Sequence, residues 1–499
     1  MDSSNKKIVV NSVILYIKLF VMTITSFFTT RFALQALGVN DFGLFSVLGS
    51  IMAFISIFNN IMISTSNRFI SVAIGKGDSA DINEQFNINL IIHIALALIA
   101  LMIAVPIGDW YIYKFINYDG DISAAVNVFH FTVIGSIISF VAVPYNGLLM
   151  AKENFLVFSV TDIMTHLFKM IVAFLLIYFW EEKLLIYAFT QGIITAIPLG
   201  VYYIYCKKHY ADIVKFHLSR NVKRYKDVFS FSGWVAYGAF AFVGKNQASA
   251  ILVNLFFNTV MNAALGLANT VNSLINGFAK SIAQPIAPQI TKNYAAGNYD
   301  RCYSLFILSN KLTYFVTLII AVPFLVDSEW IFNLWLGSVP EYVVMFTNLV
   351  IIDTLVISLN SGINNLIFAG GNIRLYQFTV STIRFLAIGA AYIVLKSGAP
   401  AYSLLYTYIV FSIIIFATGQ WVLNRTMHFD NRILWRRSYI PSLIVGILLI
   451  PCYMFHLGVP SILHIIISEL WILSCIYVVG LSKSEKNSLQ SLILKRKKQ

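Results

Sequence analysis

Eight cations interrupt the long apolar stretches of this chain: Lys18, Arg31, Arg68 and Lys169 in the first half, and Lys245, Lys280, Lys311 and Arg384 in the second. Against them stand only three acids inside such stretches, Asp162, Asp353 and Glu469. An ionisable group within hydrocarbon is costly, so it faces a partner or a water-filled cavity. The chemistry that fits is the holding of an anion. A guanidinium grips phosphate through two parallel N–H bonds, and an ammonium acts as a mobile point charge. Lys245 and Lys280 are candidate anion-binding residues.

Uncharged polar residues reinforce this pattern. Ser56, Asn60, Ser64 and Asn67 recur on one helix face and end beside Arg68. Asn269, Asn272 and Asn276 recur on another, ending at Lys280. A single Asn of this kind commonly only joins helices. Two stripes at corresponding places in two halves point to a common wet space. Asp162, His166 and Lys169 share a third face and form a candidate coupling cluster, or else a self-neutralising structural one. Asp353 and Arg384 are expected to pair. Lys18 lies thirteen residues before Arg31, about 140° away around an ideal helix, so the two reach one space only through a bend or at different depths. Arg31 and Arg68 have an alternative use, extending to opposite membrane surfaces.

The elements that must position these residues are membrane spans. The 499 residues are 58% hydrophobic and 11% charged, where soluble domains are about 25% charged. A span takes about 20 apolar residues. The pattern predicts fourteen: 8–36, 43–66, 86–108, 124–150, 155–180, 184–206, 228–257, 260–284, 303–326, 341–369, 373–396, 400–424, 439–457 and 460–481. The net charge of +13 sits between these spans and is explained by topology, with no nucleic-acid partner. With both termini cytoplasmic, the outside loops hold only Lys114, Lys183 and Lys396 among basic residues, as the positive-inside rule requires. The segment 207–227 carries seven Lys and Arg against two Asp. It reads as a cytoplasmic hinge between residues 1–206 and 228–424, with 425–499 adding two spans and a basic tail.

The halves repeat one another. Asn146–Phe158, NGLLMAKENFLVF, matches Asn364–Tyr376, NNLIFAGGNIRLY, at a shift of 364 − 146 = 218. IAVP recurs at Ile103 and Ile320, a shift of 217, and ISVAIGKGD from Ile70 resembles ITKNYAAGN from Ile290, a shift of 220. Two parallel six-span repeats around a shared interface are a transporter plan. Gly75–Asp78 lacks the P-loop pattern, and HExxH and GxSxG are absent. Four scattered cysteines form no CxxC, so no metal or cofactor is expected.

Arg31–Ser50, RFALQALGVNDFGLFSVLGS, followed by Arg68–Asp78, RFISVAIGKGD, resembles the N-terminal pattern of Wzx-type polysaccharide flippases. GLLMAKENF and SGW at Ser232–Trp234 fit the same family, within the multidrug/oligosaccharidyl-lipid/polysaccharide exporters. The resemblance spans essentially the whole chain. It implies an all-α integral membrane fold, a MATE-like bundle of two six-helix lobes plus two C-terminal helices, in a bacterial cytoplasmic membrane. It also implies transfer of an undecaprenyl-pyrophosphate-linked oligosaccharide to the outer leaflet by alternating access. The pyrophosphate-holding role carries to Arg31 and Arg68, which stand in the matching motifs. Polysaccharide polymerase and glycosyltransferases are the implied partners. A cation-coupled multidrug exporter and a non-transporting membrane scaffold are the competing readings.

Overall fold

The computed structural model describes residues 3–115, 120–257, 259–336, 339, 341–454, 459–483 and 485–487. Helices α1 (Ser3–Lys76), α2 (Ser79–Phe115), α3 (Ile122–Ala151), α4 (Phe155–Tyr178), α5 (Lys183–His209), α6 (Ala211–Val214) and α7 (Val222–Phe256) come first. Then follow α8 (Thr259–Ala295), α9 (Tyr299–Leu336), α10 (Val343–Ser358), α11 (Ser361–Gly370), α12 (Arg374–Lys396) and α13 (Ser403–Met427). The last are α14 (Asn431–Leu434), α15 (Ile440–Ile447), α16 (Ile450–Met454) and α17 (Ser461–Cys475). Among the described residues the fourteen expected spans fall mainly on helix, with 341–369 divided between α10 and α11 and 439–457 between α15 and α16. Among the described residues, eleven helical segments are long and apolar enough to cross a membrane. Helix is the required choice in lipid, where backbone polar groups have no water to bond.

Helix α1 covers two expected spans because its only non-helical residue is Gly38, at φ 76°. The left-handed region is open to glycine at little cost. The chain falls into two compact units, Val10–Ala236 and Tyr237–Gln499 with Met1–Val9. The boundary lies inside α7. The basic segment 207–227 is bonded into the first unit. Asn83 Nδ2 reaches the carbonyls of Ile213 and Lys215, each at 2.8 Å. Arg224 pairs with Asp81 and, at 3.0 Å, with Glu84 at the start of α2.

The repeat is written into the backbone as well as the sequence. Gly77 and Gly297, 220 residues apart, close α1 and α8 at φ 78° and 77°. Glu153 and Gly371, 218 apart, both have positive φ (64° and 82°), as do Trp180 and Gly398, also 218 apart (69° and 87°). These are left-handed residues just past helix ends, where glycine is usual. The first half keeps the geometry with Glu and Trp. Pro106 in α2 and Pro323 in α9 likewise stand inside corresponding helices.

In the first unit α3 and α5 cross at backbone contact. A Cβ on Gly135 would lie 2.8 Å from Gly192 Cα, and one on Gly192 2.8 Å from the Phe131 carbonyl oxygen. Small residues allow such approach between membrane helices. Gly135→Val is therefore expected to cost about 1–3 kcal/mol through overpacking and to reduce monodisperse protein extracted in detergent. Gly200→Val meets open space and should leave the yield unchanged.

Candidate functional site

Each unit holds its own polar centre, built from long-range contacts between helices. In the first unit a cavity of about 310 Å³ is lined by Asn59, Ser136, Asn146, Asp162, Lys169 and Tyr202, among others. Its carboxylate, Asp162 on α4, pairs with Lys18 on α1. The Lys18 ammonium also lies 3.6 Å from the centroid of Phe158. His166 Nδ1 is 3.4 Å from Ser26 Oγ. Asn59 donates to Ser139 at 3.2 Å. Helical spacing thus places Asp162, His166 and Lys169 on one face of α4. The structure puts two of them, Asp162 and Lys169, on one cavity and engages Asp162 with a cation from another helix.

In the second unit a pocket of about 50 Å³ lies between α7, α8, α10, α12 and α13, lined by Lys245, Asn272, Asn276, Asp353, Arg384 and Ser412, among others. Lys245 Nζ is 2.8 Å from Asp353 Oδ2, and the Ser412 hydroxyl donates to Oδ1 of the same carboxylate. Among the described residues, the ion-pair partner of Asp353 is Lys245, where the sequence reading expects Arg384. The reason is reach: the α7 ammonium arrives at the carboxylate, whereas the Arg384 guanidinium lies over the Phe242 ring, 5.9 Å from its centroid. Asn276 Nδ2 donates to Asn272 Oδ1 at 2.6 Å, and Thr354 Oγ1 is 2.7 Å from the same oxygen. The second-half stripe is thus part of this pocket at Asn272 and Asn276. Asn269 is half-buried and Lys280 exposed.

The first-half stripe is less uniform. The side chains of Ser56 and Asn60 lie outside the described residues. Ser64 and Asn67 are half-buried, and Asn67 Oδ1 accepts from Ser71 at 3.2 Å within its own helix. Arg68 is stacked: its guanidinium lies 4.6 Å from the Phe69 centroid and 4.7 Å from that of Phe231. Such contacts hold a guanidinium plane by cation–π attraction.

Arg31 is exposed and stands apart from Arg68 in depth. Leu37, Leu44 and Leu48 pack with Ile112 near the end of α2 and Val128 near the start of α3. Ile70 packs instead with Phe86 near the start of α2 and Leu148 near the end of α3. Arg31 and Arg68 therefore lie toward opposite ends of the first unit. Counting the 1.5 Å helical rise from Gly38, Arg31 is about 10 Å away along the axis and Arg68 about 45 Å. This corrects the expectation that one pyrophosphate meets both at once. Sequence reasoning also missed Asn59, Ser136 and Asn146 on the first cavity and Ser412 on the second. Asn146 carried a signal, since it opens a repeat motif. Isolated serines carried none.

A family model described as polysaccharide biosynthesis protein matches residues 4–294. No curated relative matches the sequence. Among solved structures, a MATE mutant superposes with a TM-score of 0.75 at 12% identity, covering 85% of this chain and 97% of that one. A mutant of the Vibrio cholerae MATE transporter VcmN gives 0.70 at 15% identity, covering 85% and 98%. A transporter of the MOP superfamily from Pyrococcus furiosus, described as having a binding pocket of reverse polarity that suggests a different function, gives 0.69 at 14% identity, covering 85% and 97%. At these identities the likeness establishes the fold.

Proposed function

The chain belongs to the polysaccharide biosynthesis protein family, and from that premise we propose that it is a flippase. It carries an undecaprenyl-pyrophosphate-linked oligosaccharide from the cytoplasmic to the outer leaflet by alternating access, for surface polysaccharide assembly. The observation that carries this reading is the sign of the charge in the spans. In both units the carboxylate nearest the polar centre is paired with a lysine, while a further cation lines the same pocket, Lys169 in one and Arg384 in the other. A polyanionic head cannot enter hydrocarbon unaided. Cations and amides replace its water and counter-ions while the prenyl tail stays in lipid. The reverse polarity of the binding pocket described for the Pyrococcus furiosus transporter of this fold, suggesting a different function there, supports this reading.

In this reading Arg31, Arg68 and Lys280 meet the phosphates, and Lys245 does so only when released from Asp353. Because Arg31 and Arg68 sit at different depths, they act in succession along the path, Arg68 at loading and Arg31 at delivery. Asp162, His166 and Lys169 form the coupling cluster. The membrane is a bacterial cytoplasmic one, with both termini inside. Glycosyltransferases that build the glycan and a polymerase that consumes it are the proposed partners.

Depletion in living cells tests the function. Lipid-linked glycan should accumulate at the inner leaflet, protected from a membrane-impermeant glycosidase added outside spheroplasts, and surface glycan should fall at least tenfold. Unchanged surface glycan with lost efflux of an organic cation such as ethidium would instead support the multidrug exporter.

A further inference from the structure

The second unit's pocket is unbalanced in charge. Two cations, Lys245 and Arg384, and one carboxylate, Asp353, line it. The carboxylate is fully committed. Its Oδ2 accepts from Lys245 at 2.8 Å and its Oδ1 accepts from Ser412. Among the described residues the half-buried Arg384 makes no ion pair or hydrogen bond; it lies over the Phe242 ring and only within the field of the already paired Asp353. Asn272 Oδ1 accepts from Asn276, which leaves the Asn272 amide N–H₂ as a further donor on the same pocket. A charge partly withdrawn from water and only partly offset carries a desolvation penalty. A guanidinium cannot relieve that penalty by losing its proton, because it stays charged under all ordinary conditions.

We propose that this pocket holds one small monovalent anion, of the size and charge of chloride, between Arg384 and the Asn272 amide as the resident counter-ion of the second unit. Charge sets the valence, since one positive charge is left over. Volume sets the size. The pocket offers about 50 Å³ of water-accessible space, and about 10–15 Å³ of such space holds one water, so a halide fits there together with water. Lys245 borders both this site and the proposed substrate path, so the site is tested in the absence of glycan.

The test uses the purified full-length protein in detergent, without glycan. Equilibrium dialysis with radioactive chloride should give one saturable ion per chain. Thermal melting should rise with chloride and not with gluconate at equal ionic strength. Arg384→Gln should remove the bound ion and the chloride-specific shift. Arg384→Lys, which keeps the charge, should retain the ion with roughly tenfold weaker binding. No saturable chloride on the wild-type protein would overturn the proposal. So would equal binding by wild type and Arg384→Gln. Should Arg384→Gln fail to fold, the wild-type stoichiometry and Arg384→Lys still decide it. Failure here leaves the flippase reading standing, and failure of glycan transfer leaves this site standing.

Discussion

Replacing Arg68 with alanine is expected to remove most surface glycan while protein in the membrane stays at its normal level. The guanidinium is held between the rings of Phe69 and Phe231, so its plane is oriented before any phosphate arrives. A charge-assisted hydrogen bond is worth about 1.5–3 kcal/mol, which is roughly a 10–100-fold loss of transfer at 1.4 kcal/mol per decade. Arg68→Lys keeps the charge but loses the fork and the stacking, so it should restore transfer only in part. Arg31→Ala should be equally severe but stall at a different stage. Arg68→Ala should leave lipid-linked glycan unbound, whereas Arg31→Ala should co-purify with it. Lys245→Ala and Lys280→Ala should each be milder and severe together. Quantitative glycan blots and lipid extraction from the purified variants read all of these. Normal glycan in the Arg31→Ala, Arg68→Ala double variant would show that these charges serve the membrane surfaces and not the substrate.

Asp353→Ala should cost the protein far more stability than Lys245→Ala, although the two residues form one ion pair. Breaking a buried pair leaves an uncompensated charge, at about 3–5 kcal/mol. The two halves of this pair are not equivalent, because Arg384 lines the same pocket. Without Lys245, the Asp353 carboxylate still has Arg384 and the Ser412 hydroxyl near it. Without Asp353, two cations face each other in low dielectric with no carboxylate between them. The double variant Lys245→Met, Asp353→Leu should be near wild type, since an apolar pair of similar volume avoids both desolvation penalties. Fluorescence-detected size exclusion after a heat step ranks the variants. The expected order is wild type and double variant, then Lys245→Ala, then Asp353→Ala. Equal loss in both single variants would show that Arg384 does not share the carboxylate's field. Because the missing charge is negative, raising chloride should narrow the deficit of Asp353→Ala specifically.

The two halves share a backbone plan more closely than a chemistry. Position 135, glycine at the α3–α5 crossing, corresponds by the 218-residue shift to Asp353, and His166 corresponds to Arg384. Duplication preserved the helices and their left-handed ends, and the polar centres then diverged. The first unit keeps a larger cavity around one Lys–Asp pair, and the second a small pocket with charge to spare.

The membrane spans, their helical state, the repeat and the excess of embedded cations were all legible in the sequence. Each is a local property: a run of apolar residues longer than the bilayer is thick, a charge interrupting that run, a motif recurring at a fixed shift. Even the break at Gly38 lies where the expected first span ends and the second has not begun. What the tertiary structure decided is which polar groups meet. Lys245 and Asp353 are 108 residues apart, and Lys18 and Asp162 are 144 apart (162 − 18). Whether such groups touch depends on the rotation and depth of each helix against its neighbours, and those are set by packing such as the glycine-to-glycine contact of α3 and α5. The expected topology put Arg31 and Arg68 toward opposite ends of successive spans but left open whether they serve one substrate site or the two surfaces. The packing of Leu44 with one end of the bundle and of Ile70 with the other separates them. Periodicity constrains a helix only about its own axis, and a binding site is a relation between axes.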